Sequence, residues 1–543
     1  MSMKWIKSKF FKYLPLIIIL SLALFLRLYK LDVVPPSLSW DEAANGYNAY
    51  TIANFGKDEW GVDFPLYFHS FGDDKNPVHI YITALFVKVL GSSDFTTRLP
   101  EAIFGVLCVA TIFLLGKIFF KNIWVGLIAA LFLAISPYNL QFSRFSHEAI
   151  FALFFFMFGI LLFLKSIKDR HFLLPISAIC FSLSILSYHS SKLVVPLMIV
   201  VLFLLYIKDL LRLKKYFAMS IFVFAILIAI FYANPQLLGA ARLSQASLSQ
   251  EAIESTGLYK KTGNSLLGRI DLTYQRYLTY FSWNYLFVSG DPIERHSSQA
   301  VGEFYKIDAL FLIVGFLALL AQRSKATIII LSWALIAPIP ASATGGITEI
   351  SHAARALFTM GSWHLVSAFG FYNLIKLFRK LPLQLVIITL GLVILAWMSY
   401  GYLQDYYNEY PKRTAIEWQY GMKQITEFVA DNPEYYQVYM TDVRAQPYIF
   451  FLYYLKSSLS EYLENVKYNN SMSRSSNVVS SFGLYNRFRF GGWDQIESYP
   501  DPYILYVVAP SQYDGLRHKD LFQLKKHIKY PNGTDAFFLV SAN

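Results

Sequence analysis

Long apolar runs, separated by short polar connections, dominate the first 400 positions of the chain. A helix that crosses a bilayer needs about 20 mostly apolar residues. Eleven runs approach that length, at 14–30, 99–119, 123–140, 149–165, 172–188, 193–207, 216–233, 307–322, 326–342, 355–375 and 382–400. The pattern predicts a mainly α-helical bundle of about eleven transmembrane helices. The first run is too long for a signal peptide and lacks a small-residue cleavage site, so we interpret it as a retained signal anchor.

The basic residues occupy every second connection between these runs. They cluster at Lys4, Lys7, Lys9 and Lys12, at Lys117 and Lys121, at Lys165, Lys168 and Arg170, at Lys208, Arg212, Lys214 and Lys215, at Arg323 and Lys325, and at Lys376, Arg379 and Lys380. Because cytoplasmic loops carry an excess of lysine and arginine, these clusters are predicted to face the cytoplasm. The long polar segments 31–98 and 234–306, and everything after about 400, are then extracytoplasmic.

The composition agrees with a membrane protein. The 543 residues are 55% hydrophobic and 15% charged, whereas soluble domains are about a quarter charged. A net charge of +12 would suggest a nucleic-acid partner in a soluble protein, but here the basic residues lie between apolar runs. Cys108 and Cys180 are the only cysteines and both lie in apolar runs, which excludes a disulfide framework and a cysteine-based metal cluster.

The segment 401–543 has a different pattern from the preceding 400 residues. It predicts a helix at Ala415–Ala430, strands at Tyr435–Met440 and Tyr503–Val508, an aromatic helix at Gln446–Leu455, a loop at 468–481, and a hairpin at Lys526–Val540 that turns at Pro531-Asn532-Gly533. We therefore predict a transmembrane domain over 1–400, including its outer loops, and an extracytoplasmic α/β domain over 401–543.

Candidate chemistry concentrates in the first long loop. Trp40-Asp41-Glu42 follows the first span by about ten residues, and the loop continues with Asp73-Asp74-Lys75-Asn76-Pro77 and then Arg98-Leu99-Pro100. Adjacent carboxylates often only cap a helix, with Ser39 or Asp41 at the cap and Glu42 at the positive end. Sugar transfer, however, needs a carboxylate that accepts the proton of an attacking hydroxyl and cations that stabilise a departing phosphate. The loop supplies both.

Several basic side chains lie on the predicted outer face, where the positive-inside rule expects few of them. They are Lys75, Arg98, Arg144, His147, His189, Lys192, His352 and Arg355. Each one alone could reach lipid headgroups or pair with a nearby carboxylate. Their occurrence as a group on one side of the membrane favours binding of an anionic, lipid-linked substrate.

The order of these motifs resembles the GT-C superfamily of glycosyltransferases, in the branch of protein O-mannosyltransferases and the lipid A aminoarabinose transferase. The resemblance begins in LRLYKLDVVPPSLSWDEAANGYNAY and KNPVHIYITALFVKVLGSSDFTTRLPEAIFG, and continues in SPYNLQFSRFSHEA, SYHSSKLVVPL and ITEISHAARAL. It implies a GT-C fold and an inverting transfer of a sugar from a polyprenyl-phosphate donor to an acceptor hydroxyl of a lipid, glycan or protein. It also implies the extracytoplasmic face of a prokaryotic plasma membrane, with no nucleic-acid partner.

The resemblance also implies roles for individual residues. Asp41 would be the general base with Glu42 beside it, Lys75 and Arg355 would contact the polyprenyl phosphate, and Arg98 would support the loop or the phosphate. Further site candidates are Asp74, Arg144, His147, Glu148, His189, Lys192 and His352. Relatives often have two prolines where this chain has Asn76-Pro77 after Lys75. No obligatory metal is predicted, although Asp41, Glu42, Asp73 and Asp74 offer oxygen ligands.

Three other functions remain open at this point. A polysaccharide ligase or polymerase would keep the fold and change the acceptor. A secondary transporter would place ionisable residues at mid-membrane and show internal repeats, and neither feature is visible in the sequence. A non-catalytic membrane scaffold would tolerate replacement of Asp41.

Overall fold

The computed structural model describes residues 3–239, 247–345, 351–444, 446–468, 482–491 and 500–543. The chain divides into two compact units. The first, called the helical unit, contains Met1–Tyr29 and Glu101–Asp405, and the second, called the α/β unit, contains Lys30–Pro100 and Tyr406–Asn543. The sequence placed the first long loop with the membrane domain, whereas the structure groups this loop with the C-terminal region.

Apolar helices build the helical unit. They are Met3–Leu28, Asp94–Phe120, Ile123–Ile135, Pro137–Phe142, Ala149–Lys168, Leu173–Ile185, Ser191–Arg212, Lys214–Ala233, Asp308–Gln322, Lys325–Ile336, Ile339–Ser342, Thr359–Lys376 and Leu381–Gln404. Each predicted span overlaps one of these helices. By length and composition, 6 helices of the described residues suffice to cross a membrane. The mainly α-helical bundle is therefore confirmed, while the count of eleven spans stays a prediction.

The third predicted span is broken by a proline. Its helix ends at Ile135, and Ser136 caps a new short helix whose first residue is Pro137. The hydroxyl of Ser136 accepts the N–H of Asn139 at 3.4 Å. Since proline lacks an N–H and fits the first turn of a helix, the chain restarts here instead of continuing one long helix.

Two helices of the bundle meet at their glycines. A Cβ atom at Gly370, in Thr359–Lys376, would overlap the carbonyl oxygen of Phe311 in Asp308–Gln322. At Gly315 on the latter helix, a Cβ atom would likewise overlap the facing backbone. Small residues let helix backbones approach closely, which is a common mode of packing between membrane helices.

The segment between Ala233 and Asp308 is mostly helical but polar. It contains a 3₁₀ turn at Pro235–Leu238, helices at Gln250–Glu254, Gly257–Thr262 and Ser265–Thr279, and a π-helical turn at Asn284–Val288. Ser249, Thr256 and Asn264 each cap the next helix with a side-chain oxygen. Because these caps satisfy free backbone N–H groups, they explain why such short helices form in this loop.

The first long loop opens the α/β unit with the helix Trp40–Phe55, called the loop helix. A two-stranded hairpin follows, called the loop hairpin, with antiparallel strands β1 (Phe68–Ser70) and β2 (Asp73–Lys75). The helix Pro77–Leu90 then packs against the loop helix, burying Ile80, Ala84 and Val87. Hydrophobic contact between these helices supports the polar end of the loop.

The C-terminal region folds around a seven-stranded sheet. Its strands are β3 (Gln437–Thr441), β4 (Lys467–Tyr468), β5 (Phe482–Tyr485), β6 (Phe488–Gly491), β7 (Ile504–Val508), β8 (Phe522–Lys529) and β9 (Asp535–Ala542), in the order β4-β5-β6-β3-β7-β9-β8. Strand β3 is parallel to β6 and β7, and the other pairs are antiparallel. The remaining helices are Tyr410–Thr414, Met422–Asp431, Tyr448–Tyr454, Leu459–Asn465 and Pro510–Asp514, with a π-helical turn at Asp405–Glu409 and a 3₁₀ turn at Lys519–Leu521.

A single apolar core explains why the loop belongs to this unit. Ala44 and Tyr47 of the loop helix are buried in the same cluster as Phe450, Leu505 and Leu539 of the C-terminal region. The predicted α/β character is confirmed, including the hairpin that turns at Gly533 with φ of 88°. The predicted loop 468–481 lies, after its first residue, outside the described residues.

Candidate active site

The two adjacent carboxylates of the loop helix have opposite environments. Glu42 is fully buried, accepts the N–H of Ser39 at 2.9 Å and pairs with Nε of Arg98 at 2.8 Å. The side chain of Asp41 is 45% exposed, and its Oδ1 lies 3.0 Å from Nζ of Lys75. Neighbouring side chains on a helix point about 100° apart, so one faces the core and the other faces solvent.

Arg98 uses its whole guanidinium inside the loop. Its five N–H groups face Oε1 and Oε2 of Glu42 and the carbonyl oxygens of Leu31, Pro35 and Ser37, at 2.5–3.1 Å. Arginine has five N–H donors in total, so none is left for a bound phosphate in this arrangement. Of the two roles implied for Arg98, the geometry favours support of the loop.

Lys75 provides the positive charge of the candidate site. It ends strand β2, its side chain is 11% exposed, and its Nζ approaches Oδ1 of Asn45 at 3.2 Å as well as Asp41. Asn45 lies one turn after Asp41 on the loop helix, and the ring of Phe71 lies 5.6 Å from Nζ. A carboxylate and an ammonium group are thus held side by side, with the carboxylate as the more exposed partner.

Asp74 and Asn76 flank Lys75 along the chain. Oδ1 of Asp74 lies 3.0 Å from Nδ1 of His69 on the opposite strand of the loop hairpin. Asn76 is buried, and neither atom of its amide has a hydrogen-bond partner among the described residues. A buried polar group without a partner is costly, so this amide can offer a hydrogen bond to a polar ligand.

Glu59 is a buried carboxyl group that the sequence reasoning missed. Its Oε1 accepts the hydroxyl of Ser70 at 3.3 Å, and its backbone N–H donates to Oδ1 of Asn48. Burial and the neighbouring Asp58 carboxylate raise the pKa of Glu59 to about 8, against the opposing effects of Lys75 and His69. Nothing in the polar sequence around Glu59 indicates that its side chain is buried.

In the helical unit, Arg355 lies beside a second arginine. The half-buried Arg355 donates to the hydroxyl of Thr344 at 3.4 Å, and Arg276 donates to the carbonyl oxygens of Thr344 and Gly345 at 3.0 Å. Two guanidinium groups therefore converge on one short segment. The sequence reasoning missed Arg276 because it lies in the long loop 234–306, far from Arg355 along the chain.

The side chain of Arg144 caps the C-terminal end of the first helix. It donates to the carbonyl oxygens of Leu26, Arg27 and Tyr29 at 2.8, 2.9 and 2.8 Å, where the helix Met3–Leu28 stops. A cation at a helix C-terminus satisfies free carbonyl groups and interacts favourably with the helix dipole. This arrangement gives Arg144 a structural role at the C-terminal end of the first helix.

The remaining candidates of the helical unit lie in two groups. Nζ of Lys192 lies 3.0 Å from Nδ1 of His189 and donates to the carbonyl oxygen of Leu237. His147 accepts the N–H of Ala149 at 3.2 Å, beside the half-buried Glu148 that precedes the helix Ala149–Lys168. His352 lies beside Asp291 and His296, which the sequence reasoning also missed, and the ring of His296 lies 6.3 Å from the ring of His147.

An apolar helical bundle combined with an α/β unit is the architecture expected of the GT-C fold. The comparisons with known proteins agree, since the chain has the GT-C fold of integral membrane proteins. Residues 74–233 match the family model of dolichyl-phosphate-mannose-protein mannosyltransferase. The resemblance to this superfamily is thereby confirmed.

Two solved structures illustrate the likeness. ArnT from Cupriavidus metallidurans bound to undecaprenyl phosphate is 12% identical, with a TM-score of 0.56 over 97% of each chain. The apo oligosaccharyltransferase of Archaeoglobus fulgidus is 17% identical, with a TM-score of 0.51 over 82% of this chain. The chain spans 64% of the length of that oligosaccharyltransferase. Among curated proteins, none matches this chain.

We expect the buried Glu42–Arg98 pair to be essential for stability. Removing one partner of such a pair leaves a buried charge uncompensated, at a cost of about 3–5 kcal/mol. Glu42→Gln and Arg98→Ala should each lower the Tm in detergent, and the double variant should lose less than the sum of both. The matched control Arg269→Ala, at an exposed position, should leave the Tm nearly unchanged. Fully additive losses would contradict the pairing.

The raised pKa of Glu59 predicts a pH-dependent stability. An unfolded glutamate loses its proton near pH 4.5, whereas folded Glu59 keeps it up to about pH 8. The stabilising contribution is therefore fully present below pH 4.5 and is lost as the pH rises through 8. Glu59→Gln should raise the Tm relative to wild type at pH 9 and match it at pH 4.5. The exposed control Glu464→Gln should leave the pH profile unaltered, and parallel profiles for Glu59→Gln and wild type would disprove the assignment.

Proposed function

We propose that this protein is an inverting glycosyltransferase that moves a sugar from a polyprenyl-phosphate donor to an acceptor hydroxyl on the extracytoplasmic face of the membrane. The pair of Asp41 and Lys75 carries the proposal, because it presents a half-exposed carboxylate against a nearly buried cation. The GT-C fold supports it, since the similar ArnT structure is bound to undecaprenyl phosphate.

Asp41 would act as the general base. The acceptor hydroxyl attacks the anomeric carbon, the bond from that carbon to the phosphate oxygen breaks, and its electrons leave with the phosphate. Asp41 takes the proton of the attacking hydroxyl. A single displacement inverts the anomeric centre, so the reaction needs no covalent intermediate on the enzyme. Glu42, buried and held by Arg98, is not available for this proton transfer.

Lys75 would compensate the negative charge that grows on the departing phosphate. The side chain of Lys75 is 11% exposed, and a cation acts more strongly on developing charge where water is largely excluded. The buried amide of Asn76 follows directly and has no partner among the described residues, so it offers a hydrogen bond to the same ligand. For Arg355, the phosphate role rests on the family resemblance and on its half-buried guanidinium.

The side of the membrane follows from the distribution of charge. The basic connections between spans favour the cytoplasm, and the loop with Asp41 and Lys75 is then outside, as in a prokaryotic plasma membrane. Activated soluble sugars are scarce outside the cell, whereas a lipid-linked donor can be flipped across the membrane. The chemistry as proposed requires no metal ion.

Asp41→Asn tests the base directly. The amide cannot accept the proton, so we expect transfer from a polyprenyl-phosphate sugar to fall at least 10²-fold, the lower end of typical general-base effects. Expression and Tm should remain near wild type because Asp41 is 45% exposed and the asparagine amide keeps its size and an oxygen acceptor for Lys75. The control is Asp32→Asn, an exposed aspartate of the same loop, which should keep full activity. Normal turnover by Asp41→Asn would remove the proposed base.

Lys75→Ala and Arg355→Ala test the phosphate contacts. Loss of a cation that binds the donor should raise the KM for donor and lower kcat, because the leaving group gains charge in the transition state. The KM for acceptor should change much less. Lys88→Ala replaces an exposed lysine on the helix that follows Lys75 and serves as the matched control. An unchanged donor KM together with an unchanged kcat in either variant would refute the phosphate role of that residue.

A further inference from the structure

Three buried side chains of the helical unit converge at a point that the proposed transfer reaction does not use. Asp291 and His296 follow the π-helical turn Asn284–Val288, and His352 precedes the helix Thr359–Lys376. Each residue offers one ligand atom, and these atoms all lie within 4.8 Å of one another. Because all three side chains are buried, the cluster differs from a solvated group of surface charges.

The cluster is held in place by hydrogen bonds from its surroundings. Oδ1 of Asp291 accepts the N–H of Ile293 at 2.8 Å, and its Oδ2 accepts the N–H of Ala353. Nδ1 of His296 lies 3.3 Å from Oδ2 of Asp291. Groups that fix the carboxylate in this way are typical of the outer shell around metal ligands, where they set the orientation of each donor atom.

Two further buried side chains fix the backbone of the cluster. The hydroxyl of Tyr280 accepts the N–H of His352 at 3.0 Å, and Oε1 of Glu303 accepts the N–H of Asp291 at 3.2 Å. Glu303 is itself buried. Two carboxyl groups in an apolar interior favour a compensating positive charge at this point.

We propose that Asp291, His296 and His352 bind one divalent transition-metal ion, with zinc as the occupant. One carboxylate and two imidazoles suit zinc, whereas magnesium and calcium prefer oxygen ligands alone. Tetrahedral zinc with bonds of about 2.0–2.2 Å places its ligand atoms about 3.3 Å apart. The distance of 3.3 Å between Asp291 and His296 already has this value, and the other ligand atoms lie within 4.8 Å of each other.

The position of the site indicates what the metal does. It would join the segment after the π-helical turn to the turn that carries Arg355, since the N–H of Ala356 donates to the carbonyl oxygen of His352 at 3.1 Å. The N–H of Arg355 donates to Nδ1 of His352 over 3.3 Å, a bond that a metal on this nitrogen would replace. The ion is thus a positioning element for Arg355 and takes no part in bond making. Only this positioning role rests on the proposed function, and metal binding itself does not.

The experiment measures metal on the full-length protein in detergent, purified through a tag without histidine and without chelators. Elemental analysis should find about one zinc per chain in the wild type. His296→Gln and His352→Gln should weaken zinc binding about 100-fold or more, since each removes one of three ligands. His171→Gln, which replaces a histidine outside the cluster, is the matched control and should retain the metal.

A second measurement keeps the proposal testable if a variant does not fold. Wild-type protein is stripped with a chelator and titrated with zinc chloride or magnesium chloride. Zinc, and not magnesium, should raise its Tm by several degrees, because a ligand that binds only the folded state stabilises it.

Each result decides the proposal. Wild-type protein that neither contains zinc nor responds to it would overturn the site, as would zinc that persists in both glutamine variants. Iron or manganese in place of zinc, lost in the same variants, would overturn the choice of metal. Zinc binding that survives while sugar transfer proves absent would separate failure of the proposed function from failure of the metal site.

Discussion

The buried ion pair of Glu42 and Arg98 is the interaction on which the candidate site depends. Both side chains are fully buried, so neither charge is stable without the other. The pair connects the first turn of the loop helix to the carbonyl groups of residues 31, 35 and 37. Once Glu42 points into the core, helix geometry directs Asp41 outward. A structural carboxylate thereby determines the exposure of a reactive one.

The basic side chains on the predicted outer face differ in the groups to which they donate hydrogen bonds. Arg98 donates to Glu42 and to three backbone carbonyls, and Arg144 donates to three backbone carbonyls where the first helix ends. Lys75 and Arg355 keep part of their surface accessible, and they donate to side-chain oxygen atoms and, for Lys75, to a carbonyl oxygen at 3.4 Å. Contacts with backbone carbonyls, more than burial alone, therefore mark Arg98 and Arg144 as residues that shape the chain, whereas Lys75 and Arg355 are the cations proposed to meet a phosphate.

Periodic features were predictable from the sequence, and features that join distant segments were not. Apolar runs located the helices, and the turn at Pro531-Asn532-Gly533 located the last hairpin, because both signals are local. The grouping of the first loop with the C-terminal region depends on contacts such as Tyr47 with Phe450 in one core, about 400 residues apart. Likewise, Asp291 and His352 are 61 positions apart, and no spacing motif marks them. The opposite environments of Asp41 and Glu42 were not predictable either, because they depend on where the fold places Arg98.

The order of events in the proposed transfer follows from the single cation beside the base. Before the donor binds, the ammonium group of Lys75 is shared between Asp41 and Asn45, at 3.0 and 3.2 Å. The phosphodiester of the donor carries one negative charge, as a carboxylate does, and it gains a second when the sugar leaves, so it would compete for the same ammonium group. As Lys75 turns toward the phosphate, its ammonium group would move away from Asp41, and a carboxylate farther from a positive charge accepts a proton more readily. Donor binding would then both compensate the leaving group and activate the base, so that Asp41 reaches full basicity only when a sugar is in place to be transferred.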